Sequence, residues 1–463
     1  MSEEMKTLRE QLCHANKNGY DRISEGDLAA MDAYCVSYKE FLDQGKTERE
    51  CALYSVELAE KCGFTAYERG MALRPGDKVY RLNRGKNLML AVIGTESLEN
   101  GANIVAAHID SPRLDLKPTP LYEESELVYG KTHYYGGIRK YQWVTMPLEI
   151  RGVVALTSGE VVKVVLGEGS EPKFVINDLL PHLGGEQGKK PLNEAIPAET
   201  LNVLLGSRPL GDAEDKDRFK LQILKRLYEK YGITETDLIS AELEVVPAAA
   251  ATDIGLDASL IGAYGHDDRV CAFAALRGLL DIAAPAKTAV CILADKEEIG
   301  SMGVTGMQSA AFDTFMEDLC RSRNAALRVC YENAFCLSCD VTAAFDPNFA
   351  DVYDKRTAAR INHGIGLCKY TGARGKSGAS DASAETVAHI RRVLDGAEVL
   401  WQMSELGKAD AGGGGTVAQY MANRNITTID AGVPVLSMHA PFETVAKLDC
   451  FMTYKGCKAV YEA

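Results

Sequence analysis

Five short stretches of this 463-residue chain carry residue types that bind divalent cations or move protons: His108-Ile109-Asp110, His266-Asp267-Asp268, Glu297-Glu298, Cys339-Asp340 and Met438-His439. Adjacent carboxylates such as Glu297 and Glu298, placed where an apolar run ends, are costly unless a cation or a proton compensates them. Singly, each stretch has a bland reading as a helix cap, a solvated turn or a packed histidine. Jointly they suggest one site, because all five fall at expected strand ends or in loops.

Counting ligands sharpens the chemistry. Two zinc-like ions about 3.5 Å apart need a bridging carboxylate. Each ion also needs its own nitrogen and oxygen ligands and a position left for water. Asp267 can bridge, His108 and Asp340 can complete one ion, and Glu298 and His439 can complete the other. Glu297 then stands next to a ligand without being one, the place for a general base. Asp110, two residues after His108 on an extended chain, can accept the other imidazole N–H and fix its tautomer. Asp268 is a further candidate for such support, or for a helix cap.

These residues need elements to position them. Residues 1 to 70 read as helical, and "DKVYRLNRGKNLMLAVIG" reads as a hairpin turning at Arg84-Gly85. "NIVAAHID" and "TAVCILA" read as buried strands, as does "FCLSCDV", which absorbs the Cys336-x-x-Cys339 pair. After residue 118 the chain turns β-branched and turn-punctuated, with one amphipathic helix in "DRFKLQILKRLYEKYG" and a strand in "SAELEVVP". From about residue 251 strand and helix alternate again. "RVCAFAALRGLLDIAA" is expected to be a helix with Phe273, Leu276 and Leu280 on one face. "SDASAETVAHIRRVLDGA" is expected to be a helix capped by Asp381, and "GTVAQYMANR" a helix after a glycine run. The expected architecture is a mixed α/β sheet flanked by helices, with ligands bound at strand ends. A catalytic unit of residues 1–118 plus 251–463 is interrupted by a β-rich unit of residues 119–250.

Composition narrows the function. The net charge of −14 disfavours nucleic acid and anionic membranes as partners. No apolar stretch approaches a membrane span, and the charged N-terminal segment lacks a signal-peptide core. The 13 cysteines are scattered without framework spacing, which fits reduced thiols in the cytoplasm.

The order of "AAHIDSPRLDLKPTP", "GHDDRVCAFAAL", "DKEEIGS", "SCDV" and "MHAPFETVAKLD" resembles the dinuclear zinc aminopeptidases, most closely the aspartyl aminopeptidase family. The resemblance spans nearly the whole chain, the insertion included. It implies a zinc-exopeptidase-like fold and a two-metal aminopeptidase acting on peptides. His108, Asp267, Glu298, Asp340 and His439 would be metal ligands, and Glu297 and Asp110 would be catalytic. It also implies that the inserted unit mediates assembly into a homo-oligomer, a tetrahedral dodecamer built from dimers. By the same resemblance His182 would reach a neighbouring subunit's active site, with His133 as the competing histidine. Lys369 would lie near an acidic substrate side chain. Zinc is the first expectation, with cobalt and manganese as alternatives, because nitrogen and oxygen ligands suit all three.

One departure bears on specificity. Where that family usually reads Leu-Asp-Asn, this chain reads His266-Asp267-Asp268-Arg269, a form that looks like the sister tetrahedral aminopeptidases. Arg269 is an extra cation beside the bridging position. Preference for N-terminal Asp or Glu is still the first expectation, with a neutral or broad preference as the alternative. Three further readings compete: a two-metal deacylase or carboxypeptidase, an inactive assembly protein, and a nucleotide site at "GGGG". The last lacks a P-loop lysine, and tight packing is the first reading of that run, with lining of the substrate pocket second.

Overall fold

The computed structural model describes residues 2–13 and 17–463. Helices Glu3–Leu12, Glu25–Gln44 and Glu48–Lys61 occupy the expected helical region, of which residues 1 and 14–16 lie outside the described residues. The hairpin follows as Lys78–Asn83 paired with Asn87–Val92, with Arg84 and Gly85 both at positive φ in the turn.

A nine-stranded mixed sheet forms the centre of the molecule. Its middle consists of four consecutive parallel strands: Thr288–Ala294, Ala102–His108, Phe335–Cys339 and Thr427–Gly432. Such strands are buried on both faces, so they read as continuous apolar runs. Alternate residues of one strand reach opposite layers. Val105 and Ala107 join the core under helices His266–Leu280 and Lys447–Glu462, while Ile104 and Ala106 join the core under Ala311–Ser322 and Leu327–Asn333. Parallel strands present their carboxyl ends along one edge, where sheets of this kind bind ligands.

The residues between the two halves of this layered unit form a second, six-stranded antiparallel sheet, from Arg113–Glu124 to Ala241–Pro247. Its first strand starts ahead of the composition change at residue 118, because Arg113 and Leu114 are buried at the junction. Trp143, Leu148, Val203 and Val245 belong to a core of its own. The amphipathic helix Arg218–Tyr231 packs on this sheet and ends at Gly232 in the left-handed conformation, φ 71°. Buried ion pairs seam the two units: Lys46–Glu149 at 2.8 Å, Arg151–Glu50 at 3.0 Å and Arg113–Glu48 at 3.4 Å.

A third, five-stranded sheet was not foreseen. It gathers Thr252–Ile254, Leu260–Ala263, Glu443–Ala446, Pro434–Leu436 and Thr342–Ala343. Its strands lead directly into or out of Asp267, Asp340 and His439.

Three local expectations change. Ser383, not Asp381, caps helix Ala384–Gly396 by accepting from the Thr386 N–H, because Asp381 is engaged by Lys369 and Lys376. Helix His266–Leu280 buries Phe273, Leu276 and Leu280 as expected, but only Arg277 is exposed, because the sheet covers one side and helix Lys447–Glu462 the other. After the glycine run, helix extends only over Ala418–Ala422. Cys336 and Cys339 lie in a buried strand as free thiols. Among the described residues, no helix is long and apolar enough to cross a membrane.

Candidate active site

The central strands deliver their terminal residues to one cleft. His108 closes the strand Ala102–His108, and Asp340 follows Phe335–Cys339 on the neighbouring strand. Glu297 and Glu298 form a short 3-10 turn after Thr288–Ala294, entered through Lys296 at φ 68°. Asp267 stands at the start of helix His266–Leu280, where its own backbone is not yet helical. His439 lies in the turn between Pro434–Leu436 and Glu443–Ala446, at φ 66°.

These side chains form two groups that share Asp267. One is His108, Asp267 and Asp340, the other Asp267, Glu298 and His439, and in each the donor atoms lie within 4.8 Å of one another. The cleft above them encloses about 460 Å³ and is walled by Tyr370, Leu406, Tyr420, Met438 and the glycines 413 to 415.

Hydrogen bonds aim the imidazoles. His108 Nδ1–H donates to the Asp110 backbone carbonyl at 3.0 Å, with the Asp110 carboxylate at 3.3 Å. Its Nε2 lone pair then faces Asp267 Oδ1 at 3.2 Å and Asp340 Oδ1 at 3.8 Å. His439 Nδ1–H donates to the Gly137 carbonyl at 3.0 Å, which turns Nε2 toward Asp267 Oδ2 at 3.2 Å and Glu298 Oε2 at 3.5 Å. Lone pairs confronting lone pairs call for a cation between them. Two buried oxygens agree, for Asp267 Oδ1 and Glu298 Oε1 have no hydrogen-bond partner. The donor set therefore fits divalent ions that accept nitrogen and oxygen ligands.

Electrostatics carry the same sign. Burial pushes up the carboxyls of Glu298 and Asp340, and neighbouring carboxylates add to it. Burial also opposes charge on Asp267, but the two imidazoles hold it below the usual range. His439 is raised to about 10 against its own burial, by Asp267 and Glu298. A proton here plays the part that a cation would. Burial pushes Glu297 up to about 7, with His108 opposing and Asp110 and Asp267 reinforcing.

The structure brings His108, Asp110, Asp267, Glu297, Glu298, Asp340 and His439 together. Glu297 belongs to neither ligand group, and its Oε2 lies 3.9 Å from His108 Nε2. Asp110 does more than orient an imidazole: it accepts from the backbone N–H of Glu297 at 3.1 Å and of Glu298 at 3.2 Å. Asp268 accepts from the His108 N–H at 3.3 Å. His266 points elsewhere, held between the Tyr38 hydroxyl at 2.7 Å and the Ile261 carbonyl.

The structure does not bring the remaining candidates into the cleft. Lys369 is ion-paired to Asp381 at 2.8 Å, and it is the following Tyr370 and Thr371 that line the cavity. Arg269 is fully buried, donating to the Ile109 carbonyl and stacking on Tyr264. His182 is exposed on the inserted unit, and the exposed His133 stacks on Tyr134. The glycine run meets both of its readings: Gly413 to Gly415 line the cleft, and a side chain on Gly413 would strike the Ala373 backbone at 2.4 Å.

Glu443 was missed. Its buried carboxylate accepts from the Asp267 N–H at 3.0 Å and the His439 N–H at 2.7 Å, so one side chain braces both. The only signal was a glutamate following Met438-His439 in "MHAPFE".

Residues 41–461 match the family model for aminopeptidase I zinc metalloproteases, M18. A probable M18 family aminopeptidase 1 from Clostridium acetobutylicum is 47% identical, over 96% of this chain and 97% of its own length. A similar protein from Thermotoga maritima is 43% identical over 93% of this chain and 96% of its own length. The crystal structure of the Thermotoga maritima M18 aminopeptidase covers 97% of this chain and 99% of its own with a TM-score of 0.93, at 41% identity. Aminopeptidase I from Clostridium acetobutylicum covers 98% and 100% with a TM-score of 0.92, at 45% identity. The chain therefore belongs to the M18 family of zinc aminopeptidases, hydrolases that remove N-terminal residues from peptides.

Proposed function

We propose that the cleft is a two-metal aminopeptidase site, in which His108, Asp267 and Asp340 would hold one ion and Asp267, Glu298 and His439 would hold a second. The meeting of two ligand groups at one carboxylate carries this reading. When bound, the ions supply Lewis acidity toward water and the scissile carbonyl. Glu297 takes a proton from the attacking water at its carboxylate and returns it to the leaving amine, a role that fits a carboxylate beside the two ligand groups but in neither. Asp110 holds the backbone of Glu297 and Glu298 and so sets where that proton is handled.

For the substrate, the cleft favours a neutral N-terminal side chain. Among the described residues that line it there is no lysine or arginine, and its walls include Val341, Leu406, Met438 and Tyr420. A substrate carboxylate there would be desolvated without a cationic partner and beside Glu297 and Asp340. The acidic preference that the resemblance raised finds Lys369 outside the lining, neutralised by Asp381. Metal-free protein is given zinc, cobalt or manganese and assayed on leucyl and glutamyl anilides. The expected outcome is metal-dependent cleavage with leucyl ahead of glutamyl, in a ratio that Lys369→Met leaves within about twofold, as for an exposed ion pair. Activity without metal would end the two-metal reading. A glutamyl preference that Lys369→Met reverses would restore the acidic assignment.

Self-assembly and a cytoplasmic location belong to the same proposal. Leu179, Leu180 and Leu183 flank His182 and are all exposed, at 47%, 48% and 68%, an apolar surface suited to cover by a second copy. All 13 cysteines are free, as a reducing compartment would keep them. Light scattering should show an oligomer that Leu180→Asp with Leu183→Asp weakens. A fully active monomer would contradict this.

A further inference from the structure

The inserted sheet touches the cluster at the end of its strand Leu127–Tyr135 and the two glycines that follow. Three contacts converge there. The Tyr135 hydroxyl donates to Asp110 Oδ2 at 2.8 Å, on the carboxylate that also accepts from Glu297 and Glu298. The Gly137 carbonyl accepts from His439 Nδ1 at 3.0 Å. Gly136 lies so close to Glu298 that an added Cβ would meet its Cβ at 3.3 Å, and one on Gly137 would meet His439 Nδ1 at 3.1 Å. The Tyr135 ring is itself fixed, for the buried Arg113 guanidinium lies 3.9 Å from its centroid and is paired to Glu244 at 3.1 Å and Glu48 at 3.4 Å.

We infer that the segment Tyr135-Gly136-Gly137 makes the inserted unit part of the active site of its own chain, with Tyr135 and Gly137 as positioning residues for Asp110 and His439. The inference rests on the metal-ligand reading above. The absence of side chains at residues 136 and 137 has a reason in this geometry, because a ligand histidine and a ligand glutamate occupy the space. The Gly137 carbonyl chooses the His439 tautomer, so the nitrogen that faces Asp267 is the one with a lone pair. Tyr135 contributes a neutral donor to a buried carboxylate whose other acceptor sites hold the Glu297-Glu298 turn. Through Tyr135, the ionic seam of Arg113, Glu48 and Glu244 is continuous with the catalytic turn. An insert that served assembly alone would need none of this.

The test uses full-length protein. Zinc affinity is measured by competition with a chelating dye, kcat and KM on an aminoacyl anilide, and the melting temperature on metal-free protein. Tyr135→Phe keeps the ring on Arg113 and removes one donor. Gly137→Ala is allowed by the backbone, whose φ is outside the left-handed region, and pushes on His439. Each should lower zinc affinity or kcat by about 10–100-fold, as removal of groups that orient metal ligands typically does. KM should stay within about threefold and the metal-free melting temperature should not move. Tyr134→Phe, on the exposed neighbour, should match the parent in every readout. Parental zinc affinity and kcat in both Tyr135→Phe and Gly137→Ala would overturn the inference, as would losses that follow an equal fall in metal-free stability. A parent chain that binds no zinc would refute the metal reading instead, so the two failures are distinguishable.

Discussion

His108 and Asp340 stand at the carboxyl ends of neighbouring strands of the central sheet, whereas Glu298 and His439 stand on turns. The first pair is fixed by a hydrogen-bonded ladder, and the His108 side chain is 1% exposed. The second is fixed by single contacts from elsewhere, Glu443, Asp110 and Gly137, and the His439 side chain is 35% exposed. A site of this kind is half framework and half brace. The framework half costs the fold little to preorganise, because strands already end there. The braced half depends on three sheets meeting correctly.

The largest effect should come from the residue that both halves share. Asp267→Asn removes the bridging charge, and zinc content and activity should both fall to background while the protein stays folded. One retained ion with parental turnover would break the comparison at its centre. Glu297→Gln should keep the metal of both halves and lose about 10²–10⁴ in kcat, the usual cost of a general base. Parental kcat would remove Glu297 from the mechanism.

Smaller effects should separate the halves. His108→Ala and His439→Ala should each lose one ion, and the first should destabilise the metal-free protein more. His108 is buried in the sheet, where truncating a large side chain typically costs about 2–5 kcal/mol. At His439 the shift should be smaller, because its side chain is 35% exposed and what is lost is its bonds to Asp267, Glu298 and Gly137 rather than packing in the sheet. Equal shifts in urea midpoint would mean that the two halves are built alike.

The smallest effect concerns His266, which supports the start of the Asp267 helix. Burial lowers its imidazole to about 3, below the ordinary 6.5. The unfolded chain therefore takes up a proton that the folded chain refuses as pH falls below about 6.5, and its contribution to stability is lost progressively down to about 3. In metal-free protein, His266→Gln should flatten the fall in unfolding midpoint between pH 7 and pH 5. An unchanged slope would show that His266 is not held neutral.

The framework half was legible in the sequence for a physical reason. An apolar run that ends in His108 or Asp340 announces both a buried strand and what stands at its end. Glu297 and Glu298 were legible because paired carboxylates after such a run demand compensation. The braces were not. Tyr135 and Gly137 act from a hairpin in another sheet, and Gly137 acts through its backbone, which no residue type encodes. Glu443 stood in "MHAPFE" after Met438-His439, but nothing in the sequence said that two backbone N–H groups meet on it. Lys369 shows the converse, since a lysine at a family-like position says nothing of Asp381 beside it. The third sheet escaped notice because its strands are only a few residues long and are drawn from three distant parts of the chain.

The central claim, two ions sharing Asp267, is tested most directly by anomalous diffraction at the zinc edge on crystals of the zinc-loaded protein. The account predicts two peaks about 3.5–4 Å apart, one against His108 and Asp340 and one against Glu298 and His439, with Asp267 between them. A single peak, or peaks that leave Asp267 uncoordinated, would contradict it.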